Sequence, residues 1–176
     1  MLVWDTLSFS FEDLSMKYSL LLLVFVSNTI FAACESSQHR AFDFWLGKWQ
    51  VSSPTSKQPS HNTITKINDG CGLLEEYTTA TGYQGKSLNI FDEQTQQWHQ
   101  TWIDNSGYLL MLSGGIKDNT MVMTGETRNK NGAAVLNEIT WTPLKNGDVR
   151  QHWQTSINKG KTWKTVFNGL YHKTAI

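Results

Sequence analysis

Turn signals recur along most of this chain at a regular beat. Asn68-Asp69-Gly70, Thr81-Gly82, Asp92-Glu93, Asp104 to Gly107, Asp118-Asn119, Asn131-Gly132, Asn146-Gly147 and Asn158-Lys159-Gly160 follow one another at intervals of about 10–15 residues. No sustained helical periodicity interrupts the series, which excludes βαβ architectures. Such a chain folds as an antiparallel meander of about ten strands. A meander of that size most simply closes on itself, because closure removes its unpaired edges. Before the first turn, His39 to Leu46 carries apolar residues at helical spacing and predicts a short N-terminal helix. The fold expected is therefore an all-β, up-and-down antiparallel barrel with a short helix in front of it. Aromatic residues make up 12% of the chain and include eight Trp, enough to fill a core. The formal net charge is zero, which gives no electrostatic footprint for nucleic acid.

The first part of the chain reads as an address. Lys17, the apolar run Leu20 to Val26 and the small pair Ala32-Ala33 have the order of a secretory signal peptide. The run is too short to span a bilayer, so no transmembrane segment is expected. Asp5, Glu12 and Asp13 do not suit an export signal, and Met16 is the expected start. The domains are then residues 1–33, a signal peptide, and 34–176, a single barrel that is periplasmic or secreted. Cys34 and Cys71 are the only cysteines. Two readings compete for them: a Cys34–Cys71 disulfide in an oxidising compartment, or a lipid anchor on Cys34 after Ala32-Ala33, which would make an outer-membrane lipoprotein.

Two-residue hairpin turns give a register. Glu76 then faces Ser87, Asn89 faces Gln100, Phe91 faces Trp98, Trp102 faces Leu109 and Met111 faces Glu126, and the same face continues through Ile139, Trp141, Arg150 and His152. The opposite face carries Leu88, Ile90, Ile103, Leu110, Leu112 and Met123. The first face mixes aromatic and hydrogen-bonding side chains, the lining expected of a ligand cavity. It is expected inside, with the aliphatic face partly covered by the N-terminal helix or a partner. The ligand-binding candidates are Glu76, Asn89, Gln100 and Trp102 on the first half of the sheet, and Glu126, Trp141, Arg150 and His152 on the second.

Motifs of chemistry are sparse. Ala80 to Ser87 is a relaxed phosphate-loop pattern, but it runs into the strand-like Leu88-Asn89-Ile90-Phe91 instead of a helix and is read as a hairpin. Ser156 to Trp163 is like an Asp-box with Asn158 in place of Asp, a structural turn. No HExxH, GxSxG or cysteine cluster occurs, so neither catalytic residues nor a metal site are assigned and no cofactor is called for.

Gly47-Lys48-Trp49 after a short helix resembles the G-x-W opening of the calycins, the lipocalin-like barrels. Phe42 to Trp49, Gly70-Cys71, Ser87-Leu88-Asn89, Trp98 to Asp104, Trp141-Thr142-Pro143, Gly160 to Trp163 and Gly169-Leu170-Tyr171 together resemble a family of small exported bacterial proteins of unknown function that begin FDFWLGxW. The resemblance covers the whole chain after the signal peptide. It implies a lipocalin-like barrel and a bacterial source, and brings no activity and no catalytic residue. The function expected is binding of a small apolar or amphipathic molecule inside the barrel. The alternatives are an isomerase or cyclase using Glu126 or Glu76 as base beside His152, haem binding through His152 or His172, and a filled barrel with an envelope interaction role.

Overall fold

A computed structural model describes residues 34–174. The expected signal peptide at 1–33, with Met16, lies outside the described residues. Ten strands run in order: β1 Gly47–Ser52, β2 Ser60–Ile67, β3 Gly72–Thr78, β4 Gln84–Asp92, β5 Gln97–Asp104, β6 Leu109–Lys117, β7 Thr120–Arg128, β8 Ala134–Pro143, β9 Val149–Ser156 and β10 Lys164–Lys173. Each pairs antiparallel with the next, and β10 returns to β1, so the barrel closes and no strand edge is left free. The short helix expected in front of it is present as α1, Ser37–Arg40, followed by a single 3-10 turn at Asp43–Trp45.

That N-terminal segment occupies one end of the barrel. Phe42 stacks on Trp45 at 4.9 Å between ring centres and meets Trp98 and Trp141 edge-on at 5.6 and 5.3 Å. The Trp49 indole donates to Trp45 O at 2.9 Å, and the Trp98 indole to Gln38 O at 3.0 Å. Large flat rings fill this end because they bury the most area per residue, and their edge-to-face contacts suit the π quadrupole. A Cys34–Cys71 disulfide ties the start of the segment to the short 3-10 turn between β2 and β3. It takes up the sulfur that a lipid would have modified. Among the described residues, no helix is long and apolar enough to cross a membrane.

The hairpins revise the expected register. Thr79 pairs with Tyr83, Asp104 with Tyr108, Asn129 with Ala133 and Leu144 with Asp148. Each of these turns therefore holds three residues, not two, and the last is a glycine: Gly82, Gly107, Gly132 and Gly147, with φ of 87°, 82°, 78° and 88°. A left-handed residue at that place is the usual closure of a three-residue hairpin, and glycine enters it without a Cβ clash. Each extra residue shifts the register by one and turns the next strand over.

The outcome on the inward face follows from those shifts. Phe91 pairs with Trp98 and Asn89 with Gln100 as expected, because the β4–β5 turn has the expected length. Glu75, not Glu76, faces Ser87, and Leu110, not Leu109, faces Trp102. Leu88, Ile90 and Ile103 stay outside, but Leu110, Leu112 and Met123, expected with them, are buried in the core. The N-terminal segment plugs the barrel end and does not cover the aliphatic outer face. Leu88 and Ile103 there remain 57% and 56% exposed.

Candidate functional site

Away from the plug the barrel is hollow. A cavity of about 590 Å³ reaches from its middle to a mouth framed by the β1–β2 loop and the turn after β3. Its upper wall is aromatic: Tyr77 lies edge-on to Trp102 at 6.3 Å and to Phe167 at 6.4 Å, with Trp153 also on the lining. Two glycines make room for these rings. A Cβ on Gly85 would sit within 2.2 Å of the Trp102 ring, and one on Gly169 within 2.6 Å of the Phe167 ring. Each ring leans over the bare backbone of its glycine, a close approach that any larger residue would block.

The floor is polar, and its centre is Glu75 on β3, 3% exposed. Asn62 on β2 donates to Glu75 Oε1 at 2.7 Å, and Ser87 on β4 to Oε2 at 2.6 Å. Asn89 donates to Ser87 Oγ at 2.9 Å, and Gln100 on β5 to Asn89 Oδ1 at 2.9 Å. On the other side Asn62 also reaches Tyr171 Oη at 3.4 Å, and that hydroxyl donates to Gln151 Oε1. A belt of neutral amides and hydroxyls from β2, β4, β5, β9 and β10 thus encircles one carboxyl. Burial pushes the Glu75 pKa up to about 7, against the pull of the Ser87 and Asn62 hydrogen bonds. Burial likewise raises Tyr171 well above the usual phenol range, with the nearby Glu75 charge adding to it. Behind Tyr83, burial works to raise Asp104, but donors from Ser106, Tyr83 and Tyr108 outweigh it and hold its pKa at about 2.

Of the residues singled out from the sequence, Gln100 and Trp102 line the cavity. Asn89 is buried in the belt beneath it. The rest need correction. Trp141 points inward but belongs to the plug, against Phe42 and Trp45. Glu76 faces solvent and pairs with Lys86 at 2.6 Å. Glu126 is exposed beside Arg128. Arg150 lies outside and donates to Asn168 Oδ1 at 3.0 Å, and His152 meets Thr165 Oγ1 at 2.9 Å on the same outer surface. His172 pairs with Asp148, and no histidine lines the cavity, so the expected axial ligands for haem face away from it. The expected carboxylate base beside His152 fails for the same reason. Sequence reasoning missed Glu75, Tyr77, Gln151, Trp153, Phe167 and Tyr171. For the first four the signal was the glycine at the end of the turn, since a three-residue count puts them inside; Phe167 and Tyr171 lie on β10, whose register against β9 shifts at a bulge between Thr165 and Phe167.

The two loop motifs are structural. The relaxed phosphate loop is the β3–β4 hairpin and opens no helix. In the Asp-box-like turn Asn158 Oδ1 accepts from Ser156 Oγ and from Thr162 N, each at 2.9 Å. Among the described residues, no cluster of His, Cys, Asp and Glu has metal-binding spacing. No protein-family model matches the chain, and no curated protein matches it.

Proposed function

We propose that this protein is an exported, lipocalin-like barrel that binds a small apolar or amphipathic molecule in its open half. The observation that carries this reading is the cavity itself: about 590 Å³, aromatic above and hydrogen-bonding below, in a barrel whose other end is packed shut. Ligand sites have this build, with apolar walls for affinity and a few polar groups for orientation. A solid barrel with a purely structural role would have filled the upper half as it fills the lower. The signal-like order of Lys17, Leu20 to Val26 and Ala32-Ala33, the disulfide and the resemblance to the FDFWLGxW family support an extracytoplasmic setting.

A titration with the neutral dye Nile red tests the proposal. Trp102→Ala removes part of the wall and should weaken dye binding by about 1–3 kcal/mol. Thr101→Ala, its neighbour on the outer face, should leave binding unchanged, because successive strand residues point to opposite sides. Equal binding by the two variants would refute the pocket.

Glu75 supports a second reading, an isomerase- or cyclase-type enzyme. A buried carboxyl in a cavity with a pKa about 7 has the basicity a general base needs near neutral pH. Glu75→Gln would then abolish turnover while leaving dye binding in place.

A further inference from the structure

We propose that the floor of this cavity seats a cation, the protonated amine of a ligand with an apolar or aromatic body, between the Glu75 carboxylate and the rings of Tyr77 and Trp102. The inference rests on the ligand-binding reading above and names the chemical class of its ligand.

The charge arrangement carries it. Among the described residues that line the cavity Glu75 is the only acidic side chain, and its protein partners, Asn62 and Ser87, are both neutral. Among the described residues no Lys, Arg or His forms an ion pair with it. A carboxylate removed from water with no counter-charge is a strong liability to the fold, and proteins retain such a group where something else supplies the cation. Among the described residues the only basic one on the lining is Lys57, at the mouth on the β1–β2 loop. An anionic head would therefore meet its one attraction at the mouth and repulsion at the floor. Above Glu75 the walls are the faces and edges of Tyr77, Trp102 and Phe167, and aromatic faces attract ammonium groups by their quadrupole. Gln100, also on the lining, gives its N–H groups to Asn89 and Ser87, so its carbonyl is a second acceptor for an amine.

The same arrangement fixes the pH dependence. Around Glu75 the facing groups are Asn62 from β2, Ser87 from β4, Gln151 from β9 and Tyr171 from β10, with Tyr77 on its own strand and Lys57 at the mouth. Both phenols are raised further by burial, so neither ionises near neutrality. Glu75 alone then changes charge as the empty cavity passes through about pH 7. An ammonium prefers the ionised form, so amine affinity should rise with pH up to that point and level off above it. A neutral head prefers the protonated form and should show the opposite trend.

Calorimetry with three matched probes, phenylbutylamine, phenylbutanol and phenylbutanoate, tests this on the whole protein, with Nile red as a separate reporter of the cavity. The amine should bind about tenfold tighter than the alcohol at about pH 8.5, the carboxylate weakest, since a charge-assisted hydrogen bond exceeds a neutral one by that margin. Amine affinity should fall by up to about tenfold at about pH 5.5, and Glu75→Gln should erase the amine's advantage and its pH dependence. The pH series on the unaltered protein remains decisive even if the variant fails to fold. Alcohol or carboxylate binding as tight as the amine overturns the inference, as does an amine that fails to bind where Nile red does. Loss of all three probes together with Nile red overturns the cavity reading as well.

Discussion

One carboxyl governs the chemistry at the scale of single residues. Glu75 sits in the barrel interior with its pKa raised to about 7 by burial, well above the 4.5 it would have in the unfolded chain. The folded protein therefore holds this proton over a pH range in which the unfolded chain has released it. Stability must fall as pH rises from about 4.5 to about 7, and the loss is complete above that, about 3 kcal/mol if no ligand supplies a counter-charge. Glu75→Gln removes the charge, so the variant should melt higher than the parent protein at about pH 8 and near it at about pH 4.5, which a pair of thermal melts will show. A variant that melts lower at both pH values would contradict this. The identity of this residue was hidden in the sequence by a single position. Glu75 and Glu76 are adjacent residues of the same type, and strand alternation says that one faces in and one out. Only the residue count of the next turn decides which, and Gly82 closes a three-residue loop there.

At the scale of elements the same arithmetic explains both what was legible and what was not. The ten strands, their order and the short helix follow from turn composition and hydrophobic alternation, which are local properties. Facing is not local, because it accumulates along the chain. The β4–β5 hairpin has the length its sequence implies, so Asn89, Gln100 and Trp102 fall inside as expected. The longer turn at Asp104–Tyr108 then inverts Met111 and Glu126, the one at Asn129–Ala133 restores Trp141, and the one at Leu144–Asp148 inverts Arg150 and His152. The position of the plug was not legible either, since apolar spacing in His39 to Leu46 shows that a face is buried and not what covers it. The Cys34–Cys71 bond holds that element to the barrel across a separation of 37 residues. Cross-linking a loop of that size restricts the unfolded chain, so Cys71→Ser should destabilise by roughly 3–4 kcal/mol in chemical denaturation. A midpoint unmoved by the substitution would show that the plug is held by its aromatic contacts alone.

At the scale of the whole molecule the barrel has two unlike halves. The lower half is closed by Phe42, Trp45, Trp49, Trp98 and Trp141. The upper half keeps a cavity between Tyr77, Trp102, Trp153 and Phe167 over the polar belt. Outside, Leu88, Ile103, Leu109 and Met111 leave an aliphatic stretch of β4, β5 and β6 exposed. Both surfaces are open to an apolar probe, and the enclosed one is expected to take it, because a cavity removes far more of the probe from water. Magnetic resonance of isotope-labelled protein titrated with Nile red decides this most directly, because the indole N–H signals report the two halves and the exterior separately. The signals of Trp102 and Trp153 should move and saturate at one dye per chain. Those of Trp45, Trp49 and Trp141 in the plug, and of the outlying Trp163, should stay still. Shifts confined to the backbone of Leu88, Ile103 and Met111, with the Trp102 and Trp153 indoles unmoved, would contradict binding inside the barrel.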